Sequence, residues 1–144
     1  MYKRILFPTD GSDITSKALQ SAIGMAKLCG AELHVLAVKE PFPYSAISEM
    51  QPVPPQEFFD AQERVASTRV KAASDAATAA GVVCQGHTVE AVHPWEAILD
   101  HAQAQSCDLV VMASHGRRGV AALLLGSETQ KVLTHSKLPV LVVR

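Results

Sequence analysis

The fold is decided by one segment, residues 108–136, which reads DLVVMASHGRRGVAALLLGSETQKVLTHS. Its first six residues form a nearly continuous apolar run, which is typical of a strand buried on both faces of a parallel sheet. A loop with small residues at both ends follows, and residues 127–136 are predicted as a helix. A strand that leads through a loop into a helix is half of a βαβ unit, so the segment predicts a parallel α/β sheet.

Predicted strands and helices alternate in the same way along the rest of the chain. Apolar runs predict strands at 3–9, 31–38, 82–92, 108–113 and 138–143. Helical spacing, together with helix start and stop residues, predicts helices at 14–29, 56–80, 93–106 and 127–136. No internal repeat or linker appears, so we expect a single domain over residues 1–144. Its fold class is α/β, a doubly wound five-stranded parallel sheet with helices on both faces.

The composition argues against several classes of partner. The net charge is −1, so the chain has no basic field that could neutralise the phosphates of a nucleic acid. Its longest apolar stretches are far shorter than the roughly 20 residues that span a bilayer. Three cysteines without a CxxC spacing suggest neither a disulfide framework nor a zinc site. We therefore expect a cytoplasmic protein with no nucleic-acid partner and no membrane partner.

Ligands of doubly wound sheets bind at the carboxyl ends of the strands, where the strand order reverses. The loop between Ala113 and Ser127 begins at such a strand end and finishes at the start of a helix. Glycines allow a backbone to approach a ligand closely, and the amides of a helix N-terminus attract anions. Taken alone, these residues predict either an anion-binding loop or a merely structural connection.

The glycine spacing in this loop resembles the nucleotide motif of the universal stress protein family. That motif is a glycine, two residues, a second glycine, nine residues, and a glycine followed by serine or threonine. Gly116 matches the second glycine, and Gly126 with Ser127 matches the closing pair. Residues 5–10 (ILFPTD) and 138–143 (LPVLVV) resemble the first and last strands of the family. The resemblance, to the ATP-binding branch, implies strand order 3-2-1-4-5 and a homodimer through the C-terminal strand, Leu138 to Val143.

The resemblance also implies how a nucleotide would be held. Asp10 would accept hydrogen bonds from the ribose hydroxyls, and Val38 with Met112 would line the adenine slot. The loop glycines and the serine after them would hold the phosphates. The ligand would be ATP, with or without Mg²⁺, or AMP or another adenine nucleotide, and no catalytic or metal-binding residue is expected. The implied nucleotide-binding residues are Pro8, Thr9, Asp10, Val38, Met112, Ala113, His115, Gly116, Arg117, Gly126, Ser127 and Glu128.

By the same resemblance the chain would be a regulatory protein of the stress response that hydrolyses ATP slowly at most. One residue departs from the family pattern, and a second one counts against phosphate binding. Ala113 stands where the family has its first glycine, and alanine would cost about 1–2 kcal/mol if this position needed a left-handed backbone. Glu128, in the first helical turn, would compete with a phosphate for the positive end of the helix. A nucleotide-free protein-interaction module of the same fold is therefore an alternative.

A third function, an adenylating enzyme of the ATP pyrophosphatase type, would need an SGGxDS loop after the first strand. Residues 9–13 (TDGSD) echo that loop only faintly.

Several other polar residues carry weaker expectations. We assign His115 to hydrogen bonding within its loop, whereas His34 could lie on either face of the sheet. Ser127 followed by Gln130 predicts a capping box. The Pro-rich stretch 42–55 is expected to be a mobile loop that acts as a lid or a partner surface. Surface positions are expected for His87, His93 and His135.

Overall fold

Five parallel strands alternate with four α-helices along the residues that the computed structural model describes, which are 1–43, 55–116 and 125–144. Strand β4 (LVVMA) is buried along its whole length because it has a strand on either side and helices above and below. In chain order the elements are β1 (Arg4–Pro8), α1 (Asp13–Cys29), β2 (Glu32–Lys39), α2 (Gln56–Ala79), β3 (Cys84–Glu90), α3 (Pro94–Ala104), β4 (Leu109–Ala113), α4 (Ser127–His135) and β5 (Val140–Val143).

The strands lie in the order β3-β2-β1-β4-β5, and every pair is parallel. β1 is central: Ile5 pairs with Leu33 of β2 on one side and with Leu109 of β4 on the other. The chain builds outward through β2 and β3 and then returns to the far side of β1, so the strand order reverses between β1 and β4. The predicted fold class and the order 3-2-1-4-5 are confirmed.

Alternate side chains of the strands enter two cores on opposite faces of the sheet. Ile5 and Phe7 pack with the buried faces of α1 and α2. Leu6, which points the other way, packs with Ile98 of α3 and Val132 of α4. Both faces are covered, which explains why the central strands are apolar throughout instead of alternating with polar residues.

Some element boundaries differ from the prediction. The third strand is shorter than the predicted 82–92: it pairs with β2 from Cys84 to Glu90, and Val83 and Val92 beyond its ends are both 70% exposed. The fifth strand starts at Val140 instead of at residue 138. Most of the predicted lid loop, residues 44–54, lies outside the described residues. None of the helices in the described ranges is long and apolar enough to cross a membrane.

The prediction of a surface position for His87 is wrong. Although β3 is at the sheet edge, this side chain is half-buried, and its Nε2 lies 3.1 Å from Nδ1 of His34. Its ring also packs against His101 of α3. His34 therefore lies on the face covered by α3, and only 2% of it is exposed. His93 and His135 are exposed, as predicted.

Gly86 on β3 offers a test of the packing between β3 and α2. A Cβ at this position would lie 2.2 Å from Cγ1 of the buried Val70, so Gly86→Ala must displace that side chain. We expect the free energy of unfolding to fall by about 1–3 kcal/mol, because the core is already filled. Urea denaturation measures the change.

Gly24→Ala is the matched control. Gly24 lies in the exposed middle of α1, nothing stands within 4 Å of its would-be Cβ, and alanine favours a helix by about 1 kcal/mol over glycine. This variant should be more stable than the parent. Two alanine variants of equal stability would contradict the packing described for β3.

Candidate functional site

The turn after β1 holds a carboxylate at the carboxyl edge of the sheet. The backbone N–H of Thr9 donates to the carbonyl of Leu36 at 2.8 Å, which keeps the turn against β2. The Oδ1 of Asp10 accepts hydrogen bonds from the backbone N of Ser12 at 2.9 Å and from Oγ1 of Thr15 at 3.2 Å. Both donors belong to the start of α1, so the helix entry fixes the position of the Asp10 carboxylate.

The loop after β4 meets this carboxylate at a glycine. A Cβ on Gly116 would lie 2.8 Å from Oδ2 of Asp10, which is closer than a real Cβ comes to another heavy atom. The absence of a side chain therefore lets the loop backbone lie directly against the carboxylate. Asp10 and Gly116, which are far apart in sequence, are two predicted site residues that the fold brings together.

A second glycine closes the bend where α4 begins. The N–H of Gly126 donates to the carbonyl oxygen of Ser114 at 2.7 Å. A Cβ on Gly126 would lie 3.3 Å from that oxygen and 3.3 Å from Cα of His115. The backbone of residues 114–116 therefore packs against the N-terminus of α4, where the helix dipole concentrates positive potential.

Helix α4 starts one residue earlier than the predicted capping box requires. Gly126 is its N-cap, so Ser127 lies inside the first turn and cannot act as the cap. Gln130 instead donates its backbone N–H to the carbonyl of Gly126 at 3.0 Å and its side-chain amide to the carbonyl of Leu125 at 3.4 Å. The capping-box prediction is wrong. Because Gly126 has no side chain to cap the helix, its amide end suits an external anion.

The residues predicted for the adenine slot lie on the face covered by α3 and α4. Met112 is 5% exposed and belongs to the core, whereas Val38 is half-buried at the carboxyl end of β2, so Val38 has more surface to offer a ligand. His115 makes the predicted loop contact, with Nδ1 3.0 Å from Oγ of Ser114. Its Nε2 is buried and has no hydrogen-bond partner in the described part of the chain. Arg117 lies outside the described residues.

Comparison with known sequences identifies the family. The family model described as the Universal stress protein family matches residues 1–144. The chain belongs to the universal stress protein family. It is 35% identical over 144 residues to the universal stress protein in the QAH/OAS sulfhydrylase 3′ region of Thermus aquaticus, and the match covers 100% of both chains.

Solved structures of similar sequence share the fold. The structure of MJ0577 from Methanocaldococcus jannaschii superposes with a TM-score of 0.84 at 29% identity, covering 99% of this chain and 96% of that one. A universal stress protein crystallised in complex with cAMP superposes with a TM-score of 0.74 at 27% identity, covering 99% and 97%. The fold of this universal stress protein therefore matches that of its structural relatives over 99% of the chain.

Ala113 departs from the glycine pattern without straining the backbone. Like Pro8 in β1 it is the last residue of its strand, and it pairs with Val143 of β5. Among the described non-glycine residues only Ser106 has a positive φ, so Ala113 lacks the left-handed backbone that would make alanine costly. Its carbonyl accepts a hydrogen bond from Oγ1 of Thr129 at 3.0 Å, which joins the strand end to α4.

Glu128 is engaged by α3. Its Oε2 accepts a hydrogen bond from the backbone N of Trp95 at 2.9 Å, and its Oε1 lies 3.6 Å from Nζ of Lys131. The N-cap of α3 is His93, which makes no side-chain cap hydrogen bond, so a carboxylate from α4 caps α3 instead. Sequence reasoning misses this contact. The available signal is a helix start without Ser, Thr, Asp or Asn, which indicates that a distant group supplies the cap.

Lys39, the last residue of β2, is directed to α2 at the same edge of the sheet. Its Nζ lies 2.6 Å from Oε2 of Glu63. This hydrogen bond, together with one from Ser67, holds the pKa of Glu63 below its usual value. Within the described ranges, no group of three His, Cys, Asp or Glu side chains is placed to hold a metal ion.

Glu128→Ala tests the cap that joins α4 to α3. Loss of the carboxylate leaves the Trp95 amide without this acceptor, and we expect the free energy of unfolding to fall by about 1 kcal/mol, as for other helix caps. Glu128→Gln keeps an acceptor oxygen without the charge, so its stability should lie between those of the parent and the alanine variant. Urea denaturation compares the three. An alanine variant as stable as the parent would show that the contact contributes nothing.

Proposed function

We propose that this chain, as a single domain over residues 1–144, binds an adenine nucleotide between the carboxyl ends of β1 and β4 and the N-terminus of α4. The observation that carries the proposal is the contact of Gly116 with the Asp10 carboxylate. It places a hydrogen-bond acceptor for hydroxyl groups beside a bend of small residues. Gly126 closes that bend at the amide end of a helix. A sugar next to phosphate is the ligand that combines these two requirements.

Each part of a nucleotide has residues to receive it in this proposal. The fixed Asp10 carboxylate accepts hydrogen bonds from the ribose hydroxyls. Gly126 and Ser127 hold phosphate at the uncapped end of α4, where backbone amides and the helix dipole favour negative charge. Val38 contributes apolar surface for the base. The surrounding positions are Pro8, Thr9, Met112, Ala113, His115, Gly116, Arg117 and Glu128.

The similarity to a universal stress protein solved in complex with cAMP supports an adenine nucleotide as the ligand class. ATP is the nucleotide we propose, and AMP and cyclic AMP are the competitors that an experiment must compare. Mg²⁺ with ATP would take oxygen ligands largely from the phosphates and water, as this ion commonly does.

Two observations favour nucleotide binding over a nucleotide-free interaction module. That alternative rests on Ala113 and Glu128, and neither residue disables the bend. Ala113 has an ordinary strand backbone, and the Glu128 carboxylate accepts a hydrogen bond from Trp95 of α3. We propose that the bound nucleotide regulates the protein during stress in the cytoplasm and is hydrolysed slowly at most. The free state of all three cysteines fits a reducing compartment.

Calorimetric titration with ATP, AMP and cyclic AMP tests the site. Gly126→Asp should weaken binding at least about tenfold, a loss of about 1.4 kcal/mol or more. The new carboxylate would occupy the positive end of α4, and its Cβ would lie 3.3 Å from loop backbone. Asp10→Ala should weaken binding to a similar degree by removing the ribose acceptor. Ala113→Gly should leave the affinity unchanged.

Gly24→Ala serves as the control, because it changes a glycine on an exposed helix face of α1. The single tryptophan, Trp95, donates its backbone N–H to Glu128 and stacks its indole on His135, so both groups contact α4. A change in its fluorescence on titration would report a movement of α4 independently. Equal binding by the parent and Gly126→Asp would show that the site is misplaced. A folded parent that binds none of the three nucleotides would favour the interaction module.

We also propose a homodimer formed through the C-terminal strand, residues 138–143. Within the described residues β5 pairs on one side only, with β4, so its other edge presents unpaired backbone groups. Such an edge invites a second strand. Leu141 on β5 is 37% exposed, and Leu133 on the neighbouring α4 is 41% exposed. A second copy across a twofold axis would cover the edge and these side chains together.

Light scattering with size-exclusion chromatography should give twice the chain mass of 15.4 kDa. Leu141→Arg should shift the protein to the monomer, because a guanidinium would be buried at the strand edge without a partner. Leu28→Arg is the control: Leu28 is 84% exposed on α1, and its replacement should leave the dimer intact. A parent that is monomeric at every concentration contradicts the proposal.

A further inference from the structure

Three histidines from three different elements meet on the face of the sheet covered by α3. They are His34 of β2, His87 of β3 and His101 of α3. Nδ1 of His34 lies 3.1 Å from Nε2 of His87, and the two rings are nearly parallel and lie side by side, with centroids 5.3 Å apart. The His101 ring meets the His87 ring edge-on, at a centroid distance of 4.4 Å. We call this group the histidine cluster.

The contact between His34 and His87 requires one donor and one acceptor, so at least one of the two rings must be neutral. Burial is the main cause that lowers the pKa of all three imidazoles below the usual value of 6.5. Proximity of the other rings lowers the pKa of His87 and His101 further. The cluster is therefore held in its neutral form in the folded protein.

The surroundings offer little to stabilise a protonated cluster. Oε2 of Glu32 lies 3.7 Å from Nε2 of His34 and favours protonation there, but Arg4 lies 3.8 Å from the same oxygen and opposes it. The other carboxylate oxygen of Glu32 is occupied by the Gln85 amide. Nε2 of His34 and Nε2 of His101 are buried without a hydrogen-bond partner in the described residues. Between the end of β3 and α3, His101 borders a groove whose lining includes His93, Glu90, Glu96 and Asp100. Burial outweighs any effect of these carboxylates, because the pKa of His101 is lowered.

Protonation of both His34 and His87 would remove the acceptor of the hydrogen bond between β2 and β3 and place two cations side by side. The strain would be relieved if α3 moved away, because α3 carries His101 and covers the cluster. We propose that the histidine cluster is an acid-sensitive latch that holds α3 on β2 and β3 at neutral pH and releases it in acid. The latch works without any nucleotide, so it stands or fails independently of the function proposed above.

The direction of the pH effect follows from linkage. In the open or unfolded chain the imidazoles titrate near 6.5, whereas in the closed state they titrate lower. Well above pH 6.5 both states are neutral and the cluster adds no pH dependence. Below it the open state binds more protons, so opening becomes more favourable as the pH falls, until the closed state is protonated too. Each ring contributes up to about tenfold in the opening constant per pH unit.

Hydrogen exchange of the α3 amides in nucleotide-free protein, corrected for intrinsic exchange rates, measures opening between pH 7 and pH 5. The opening constant should rise at least about tenfold over this range in the parent. His87→Gln combined with His101→Gln leaves one titrating ring, so the pH dependence of the variant should fall to that of a single proton or less. His93→Gln, at the exposed N-cap of the same helix, is the matched control and should behave like the parent.

A parent whose α3 exchange does not change with pH would overturn the latch, as would a double variant with the slope of the parent. If the double variant does not fold, imidazole NMR titration of the parent decides instead. His34, His87 and His101 should then titrate below 6.5, the usual value for an imidazole, whereas three midpoints at or above 6.5 would overturn the proposal.

Discussion

Parallel pairing of β1 with β4 is the constraint on which the proposed nucleotide site depends. Ile5 pairs with Leu109, so the two strands run together and end at the same edge of the sheet. Between β1 and β4 in sequence, the chain forms β2 and β3 on one side of β1 and then crosses to form β4 on its other side. In sheets of this type, ligands bind where the connections of neighbouring strands leave the strand ends in opposite directions. The loops touch where Gly116 meets Asp10, and a larger residue there would force them apart.

The fold could be predicted because its signals are local. β4 is buried on both faces and is apolar at every position, and Gly30 ends α1 with a left-handed φ of 64°. The positions of Asp10 and Gly126 follow from the same logic, since one residue comes just after a strand and the other comes just before a helix. Once the strand order is known, topology alone carries both to one edge. The resemblance to the universal stress protein family implies that order from the sequence.

The contacts that sequence reasoning missed are long-range and depend on register. Glu128 of α4 contacts Trp95 of α3, and His34 of β2 contacts His87 of the neighbouring strand β3. Neither pair has a local spacing that identifies it. Side chains alternate between the two faces of the sheet along β2, so the face of His34 would follow from the known face of a neighbouring residue. However, a shift of one residue in the strand register moves every side chain to the opposite face. The capping-box prediction at Ser127 also failed through a shift of one residue. Helix α4 starts one residue earlier than that capping box requires, so Ser127 lies in its first turn and not at the N-cap.

Helix α3 links the histidine cluster to the proposed nucleotide site because it has contacts in both places. It packs on the core through the buried Ile98 and Ala102 and through the partly buried Trp95 and Leu99. Polar contacts are added at each half of the helix. One end of α3 is capped by Glu128, which lies two residues beyond the glycine that closes the bend. The other half carries His101 into the cluster. Displacement of α3 at the cluster would therefore disturb the start of α4, where we place the phosphates.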